Sequence, residues 1–161
     1  MNKTAKEAGE FFAEFKPLVK DVKNAGIIIG APFTALETAV RETKGTNIKI
    51  AAENMNAKES GAYTGEVSPL MLKDLGVEYV ILGHSERREY YHENDEIINE
   101  KVKSALAHDL KPILCIGEKL EQREAGTTND VVKTQIVGGL KDVTAEQMAN
   151  VVPVSYTHLT L

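Results

Sequence analysis

One histidine stands where a predicted strand meets a predicted helix. Tyr79–Leu82 is an apolar run of strand length, and Gly83 ends it just before His84. Ligand sites in α/β folds lie at the carboxyl ends of strands, so this position suits chemistry. Ser85 and Glu86 can open a helical turn whose backbone amides donate to Nδ1, which leaves the Nε2–H group to donate to a substrate oxygen. The pattern therefore predicts that His84 polarises an oxygen of a small ligand.

Residue types alone leave ordinary structural roles open for these side chains. A single histidine near a buried strand usually finds a hydrogen-bond partner and does no chemistry, and Glu86 would complement a helix dipole. The only cysteine, Cys115, has no neighbouring cation and no ligand spacing, which favours a small buried apolar role. His92 and His108 also show no metal-ligand spacing, so we predict no metal site.

The elements that must position His84 alternate between strand and helix. Apolar and β-branched runs predict four strands and the beginning of a fifth, near residues 26–30, 48–53, 79–83, 111–116 and 151–152. Amphipathic segments with capping residues separate them. The first has a capping box of Thr4 and Glu7, and Pro17 inside it predicts a kink or break near residues 15–16. Strands that alternate with helices indicate right-handed βαβ units and a parallel α/β sheet.

Composition and charge place limits on function. The chain has 161 residues, about one domain, and is 42% hydrophobic and 27% charged, as globular proteins are. Its net charge of −5 argues against a nucleic-acid or anionic-membrane partner. No apolar run approaches the length of a membrane span, and the first residues lack a signal-peptide core. A single cysteine fits a reducing cytosol, so we expect a cytoplasmic protein.

Four loop motifs, in this order and spacing, resemble the triosephosphate isomerase family. They read GAYTGEVSP, ILGHSERR, LCIGE and REAG, and they occupy residues 61–69, 81–88, 114–118 and 123–126. The resemblance covers about residues 1–152. It implies an incomplete TIM (β/α)8 barrel made of parallel strands 2–5 of the barrel with flanking helices, because the complete barrel takes about 250 residues.

The resemblance also implies a reaction and roles for particular residues. The family interconverts dihydroxyacetone phosphate and glyceraldehyde 3-phosphate through an enediol, as a homodimer and without a cofactor. His84 matches the electrophile, and Glu86 matches a glutamate in the active site near a catalytic lysine. Thr64 matches a threonine that reaches the neighbouring active site, while Glu66 and Arg87 match a pair across the dimer interface. No residue of this chain matches the family's phosphate-binding loops.

The two ends of the sequence depart from the family pattern. Before Met1 the resemblance would place a first strand with an asparagine and the catalytic lysine, and after Val152 it would place the glutamate base and a lid. The segment 153–161 instead resembles a translated sequencing adapter. We therefore expect residues 1–152 to form a partial barrel domain, residues 153–161 to be a non-native tail, and the chain alone to be inactive.

Two other functions remain open. A half-barrel could act as a non-catalytic interaction module that binds a partner through its sheet edges and the long loop at residues 54–67. A different phosphate-binding barrel enzyme is the third possibility, although it would need another motif in place of ILGHSERR. The native sequence on either side of the chain would distinguish the first two.

Overall fold

The computed structural model describes residues 1–155 and builds them around a parallel sheet. The strands are β1 Ile27–Ala31, β2 Ile48–Ala52, β3 Tyr79–Leu82, β4 Lys111–Ile116 and β5 Val152–Ser155. The helices are α1 Ala5–Val19, α2 Leu36–Thr43, α3 Pro69–Leu75, α4 Ser85–Tyr90, α5 Asp95–Ala107, α6 Leu120–Glu124, α7 Thr128–Gly139 and α8 Ala145–Met148, with one 3-10 turn at Phe33–Ala35.

The strands lie side by side in chain order, β1 to β5, and every adjacent pair is parallel. The predicted α/β class and the incomplete TIM barrel are therefore confirmed. Because all strands run the same way, their carboxyl ends share one rim, and the loops that follow them lie there together. In the part of the chain described, residues 1–155, no helix is long and apolar enough to cross a membrane.

The fifth strand extends beyond the predicted boundary at residue 152. Val152, Pro153, Val154 and Ser155 pair with Ile113–Ile116 of β4, and all four are exposed. The remaining residues of the predicted tail, 156–161, lie outside the described residues. The non-native origin of residues 153–161 stays a prediction.

The helix face of the sheet holds the core. Leu114 and Val80 are fully buried there, with Phe12, Leu72 and Ile98 from the helices. The opposite face, which would line a barrel, carries Ile28, Ala51, Ile81, Ile113 and Cys115. Leu114 itself belongs to the core face, because it lies against Gly139 of α7 and strand residues alternate between the two faces.

Local signals explain where most helices begin. Thr4 and Glu7 form the predicted capping box of α1, with Thr4 N donating to Glu7 Oε2 at 2.7 Å. The expected break before Pro17 is absent from α1, which continues to Val19. Pro17 lies in the last turn, so it removes one backbone donor near the end of the helix, and just beyond it Asn47 Nδ2 donates to the carbonyls of Val19 and Val22 at 2.8 and 3.0 Å.

Candidate active site

His84 caps α4 at the carboxyl end of β3. Its Nδ1 accepts a hydrogen bond from the backbone N–H of Glu86 at 3.3 Å, and its carbonyl accepts from the N–H groups of Arg87 and Arg88 at 2.9 and 3.1 Å. The side chain is one-third exposed. A ring nitrogen that accepts a hydrogen bond carries no hydrogen, so the neutral ring has its hydrogen on Nε2. This is the tautomer that can donate to an oxygen of a ligand.

Glu86 lies beside this histidine, but the two side chains are not hydrogen-bonded to each other. Glu86 Oε2 is 3.8 Å from His84 Nδ1, and about half of the carboxylate side chain is exposed. Since Nδ1 already accepts from the backbone, the carboxylate has no hydrogen to receive from it. Glu86 therefore adds negative charge at the rim, and its role in the active site stays a prediction.

Gly83 allows the close packing behind His84. Its φ of +74° lies in the left-handed region, and a Cβ there would lie 3.0 Å from the Cys115 carbonyl oxygen and 3.2 Å from Arg88 Nη2. Both the backbone conformation and the space therefore require glycine. Glycine before the histidine thus allows the ends of β3 and β4 to lie close together.

A buried charged network lies under α4, and of its members only Arg87 was predicted from the sequence to have a role. Glu93 Oε1 accepts from Arg87 Nε and from Lys101 Nζ, both at 2.6 Å, and Lys101 Nζ also donates to Asn54 Oδ1 at 2.9 Å. The Glu93 and Lys101 side chains are only 5% and 7% exposed. The network ties Asn54, two residues beyond β2, to α4 and α5, and so fixes the rim on one side of His84.

The two cations beside Glu93 determine its protonation state. Burial alone raises the pKa of its carboxyl group, but the hydrogen bonds and positive charges of Lys101 and Arg87 outweigh burial and lower the pKa below its ordinary value. Glu93 is therefore a carboxylate held between two cations. Arg87 and Glu93 are six residues apart, so their opposite charges were a weak sequence signal for this one ion pair. Lys101 and Asn54 lie 47 residues apart and gave no such signal.

Two of the three residues predicted at a dimer interface, Thr64 and Glu66, lie on the loop after β2, and the third, Arg87, lies on α4. Thr64 and Glu66 are exposed, and Glu66 Oε2 accepts from Asn56 Nδ2 at 2.8 Å. Arg87 binds Glu93 within the chain, and its guanidinium also lies over the Tyr91 ring at 4.3 Å from the ring centre. Glu66 and Arg87 thus have partners in their own chain, and their pairing across an interface stays a prediction.

The end of β4 contributes a second, tightly held loop. The amide side chain of Gln135 on α7 binds both backbone groups of Gly117, accepting from its N–H at 2.8 Å and donating to its carbonyl at 3.1 Å. The buried Glu118 accepts from Arg123 Nη1 at 3.0 Å.

Burial raises the pKa of the Cys115 thiol to about 11, against a smaller opposing effect of Arg88. This agrees with the apolar role expected for Cys115.

Two further histidines lie within residues 1–155, and neither directly follows a strand. His108 ends α5, with Nδ1 2.7 Å from the Ser104 carbonyl and Nε2 3.1 Å from Glu59 Oε1. His92 has a φ of +55°, which is uncommon outside glycine. Within residues 1–155 no group of three His, Cys, Asp or Glu side chains is arranged to hold a metal ion.

Parallel strands in chain order with outer helices define an incomplete (β/α)-barrel, and His84 lies at the carboxyl rim where barrels of this class carry their sites. The chain belongs to the triosephosphate isomerase family, whose family model matches residues 1–156.

Relatives named triosephosphate isomerase are similar along most of this chain. The protein of Fusobacterium nucleatum is 61% identical over 146 residues, which are 91% of this chain and 58% of the relative. Those of Caldanaerobacter subterraneus and Clostridium botulinum are 55% and 52% identical over 152 residues, 94% of this chain and 61% of each relative. The chain thus spans about three fifths of the length of the curated relatives that it matches.

Proposed function

We propose that this sequence serves the interconversion of dihydroxyacetone phosphate and glyceraldehyde 3-phosphate, the reaction of a triosephosphate isomerase. The observation that carries the proposal is the placement of His84. Its Nδ1 accepts from a backbone amide at the carboxyl rim of a parallel sheet, in a chain that belongs to this family. Its Nε2–H group then donates to the carbonyl oxygen of the triose and to the oxygen of the enediol that follows.

The chemistry needs a donor that is strongest where negative charge develops. As a proton leaves carbon, charge collects on the neighbouring oxygen, and a fixed donor stabilises that charge without having to reorganise. In this family a neutral histidine at a helix N-terminus is known to act together with a glutamate base. Glu86 would add negative charge at the same rim, next to the lysine that the family pattern places there.

We further propose that the protein acts as a cytoplasmic homodimer in glycolysis and gluconeogenesis. Large apolar side chains around the loop at residues 54–67 and along α3 and α4 are about half to two-thirds exposed, which is typical of an interface. They are Tyr63, Leu70, Met71, Tyr90 and Tyr91. Thr64, Glu66 and Arg87 lie in the same region and are proposed to contact the second subunit there.

These 161 residues by themselves are proposed to be inactive. The family pattern requires a lysine and a glutamate base, for which the sequence shows no matching motif. General acid–base groups contribute roughly 10²–10⁴-fold each, so a donor acting without them leaves the reaction near its background rate. Residues that act as a unit are not additive, so the combined loss need not be their product.

A chimera tests the proposed function directly. Residues 1–151 of this chain replace the matching segment of the Fusobacterium nucleatum relative, and turnover of glyceraldehyde 3-phosphate is followed in a coupled assay. We expect the chimera to be active and dimeric and the 161-residue chain to show no turnover. A folded chimera without activity would contradict the proposal and favour a non-catalytic interaction module. Turnover by the 161-residue chain would contradict the proposed inactivity.

A further inference from the structure

The side chain of Arg88 on α4 contacts three separate parts of the chain at the carboxyl rim. Its Nε donates to the carbonyl of Gly83 at 2.9 Å, and its Nη1 binds Asp95 Oδ1 on α5 at 2.6 Å. Its Nη2 points to the carbonyl of Cys115 at 3.5 Å, a long and weak contact. The side chain is 17% exposed, so these bonds are mostly shielded from water.

These contacts hold the backbone on both sides of the His84 Cα. The Arg88 side chain holds the carbonyl of Gly83, which begins the peptide unit before His84. The Arg88 backbone N–H donates to the carbonyl of His84 itself at 3.1 Å. The two peptide units that flank a Cα fix its φ and ψ, here −56° and 144°, and with them the direction of its side chain.

A guanidinium suits this task better than an ammonium group. Its donors diverge from one rigid plane, so one side chain can bind the end of β3, the end of β4 and α5 together. Asp95 balances the positive charge that would otherwise be buried. Gly83 leaves room for the arrangement, because a Cβ at that position would lie 3.2 Å from Arg88 Nη2.

We propose that Arg88 is a positioning residue for His84, which sets the direction of the imidazole ring by holding both flanking carbonyls. The inference rests on the proposed role of His84 as the electrophile. Without Arg88 the turn would keep its helical hydrogen bonds, but the Gly83–His84 peptide could rotate. The ring would then lose its fixed hydrogen bond from the Glu86 amide.

The test compares Arg88→Met and Arg88→Lys with a matched control. Asn99→Ala is the control, because Asn99 is also buried and also binds two backbone carbonyls, those of Gly139 and Lys141, at 3.1 and 2.8 Å. Both kinds of variant remove a buried tie between elements, but only Arg88 is next to His84. Each 161-residue chain is checked for folding by circular dichroism before measurement.

The measurements report on the ring itself and need no catalysis. Hydrogen exchange by mass spectrometry follows the segment Gly83–Arg88, with β2 as the internal reference. Modification by diethyl pyrocarbonate, resolved by peptide, gives the reaction rate of His84. Because hydrogen bonds to charged groups are the stronger ones, we expect Arg88→Met to speed both at least about tenfold. Arg88→Lys should give an intermediate rise, and Asn99→Ala should leave both unchanged relative to β2.

Two results would overturn the proposal. One is a folded Arg88→Met chain in which exchange at Gly83–Arg88 and modification of His84 keep their original rates. The other is an equal rise in Asn99→Ala, which would indicate general loosening. If Arg88→Met does not fold, Arg88→Lys and Asp95→Asn decide by the same criteria. A chimera without isomerase activity would leave these rates unaffected, so failure of the proposed function and failure of this inference are distinguishable.

Discussion

The imidazole of His84 is held by groups that come from its own turn. The amide of Glu86 donates to Nδ1, the amides of Arg87 and Arg88 donate to its carbonyl, and Gly83 supplies the left-handed conformation that precedes it. A donor fixed in this way does not have to reorganise when charge develops on a substrate oxygen. The proposed role of the Nε2–H group as a donor therefore needs no rearrangement of this turn.

Cys115 makes the stability depend on pH in the alkaline range. Its pKa is raised by burial from 9.0 to about 11, so the folded state keeps the thiol protonated where the unfolded chain ionises. This stabilisation is fully present below pH 9 and is lost as pH rises to about 11. Two units of pKa correspond to roughly 2–3 kcal/mol.

We therefore expect the free energy of unfolding of the original chain to fall by roughly 2–3 kcal/mol relative to Cys115→Ala between about pH 8 and pH 11. Urea unfolding at several pH values measures both chains, and titration of lysine and tyrosine side chains cancels in the comparison. Parallel curves for the two chains across this range would show that the thiol is not protected by burial.

Lys101 should be among the most sensitive positions for stability. Replacing it in Lys101→Met leaves the buried Glu93 carboxylate with Arg87 as its cationic partner. Breaking a buried ion pair typically costs about 3–5 kcal/mol, and we expect the lower end because Arg87 remains. Lys103→Met, on the exposed face of the same helix, is the matched control and should change stability by less than about 0.5 kcal/mol.

The loss in Lys101→Met should itself depend on pH. The pKa of Glu93 is lowered in the folded state, so its contribution is present above the ordinary glutamate pKa and is lost as pH falls through the folded-state pKa. The difference between the two chains in urea unfolding should therefore be largest near neutral pH and shrink as the pH is lowered through the acid range. A difference that stays constant with pH would mean that packing, and not charge, explains the loss.

At the scale of elements, local patterns could be predicted, whereas contacts between distant segments could not. The position of His84 at the end of a strand could be predicted because a strand, a glycine and the first turn of a helix follow one another in the chain. Lys101 and Asn54 are 47 residues apart, and no periodicity links an interior lysine to a loop asparagine. The break expected at Pro17 was wrong for the same reason, since α1 is capped by Asn47 from a distant turn.

Asn47 should accordingly stabilise the end of α1. Asn47→Ala removes the donor of two hydrogen bonds to the carbonyls of Val19 and Val22, and each such bond contributes about 1 kcal/mol. We expect a loss of about 1–2 kcal/mol and faster hydrogen exchange in the last turn of α1. Asn24→Ala, at an exposed position before β1, provides the comparison. A stability equal to that of Asn24→Ala would show that α1 ends there without help from Asn47.

At the scale of the molecule, the sheet is open in the described part of the chain. Within residues 1–155, β1 and β5 each pair with one neighbouring strand, and Val152 and Val154 are about 40% exposed. Unpaired edges and exposed apolar surface favour association. The 161-residue chain produced on its own should therefore form oligomers or aggregates in light scattering as its concentration rises, and the unfolding and exchange measurements on it use dilute samples. A chain that stays a monodisperse monomer at the highest concentration would contradict this expectation.

The most direct test of the account is the turnover of the chimera with and without the His84 ring. His84→Asn keeps an acceptor for the Glu86 amide but removes the Nε2–H donor. His92→Asn is the control, because asparagine tolerates the positive φ at that position. If His84 polarises the substrate carbonyl, His84→Asn lowers kcat by about 10²–10³-fold, as loss of one such donor does, and His92→Asn leaves it nearly unchanged. A folded His84→Asn chimera that retains the kcat of the parent would contradict the central claim.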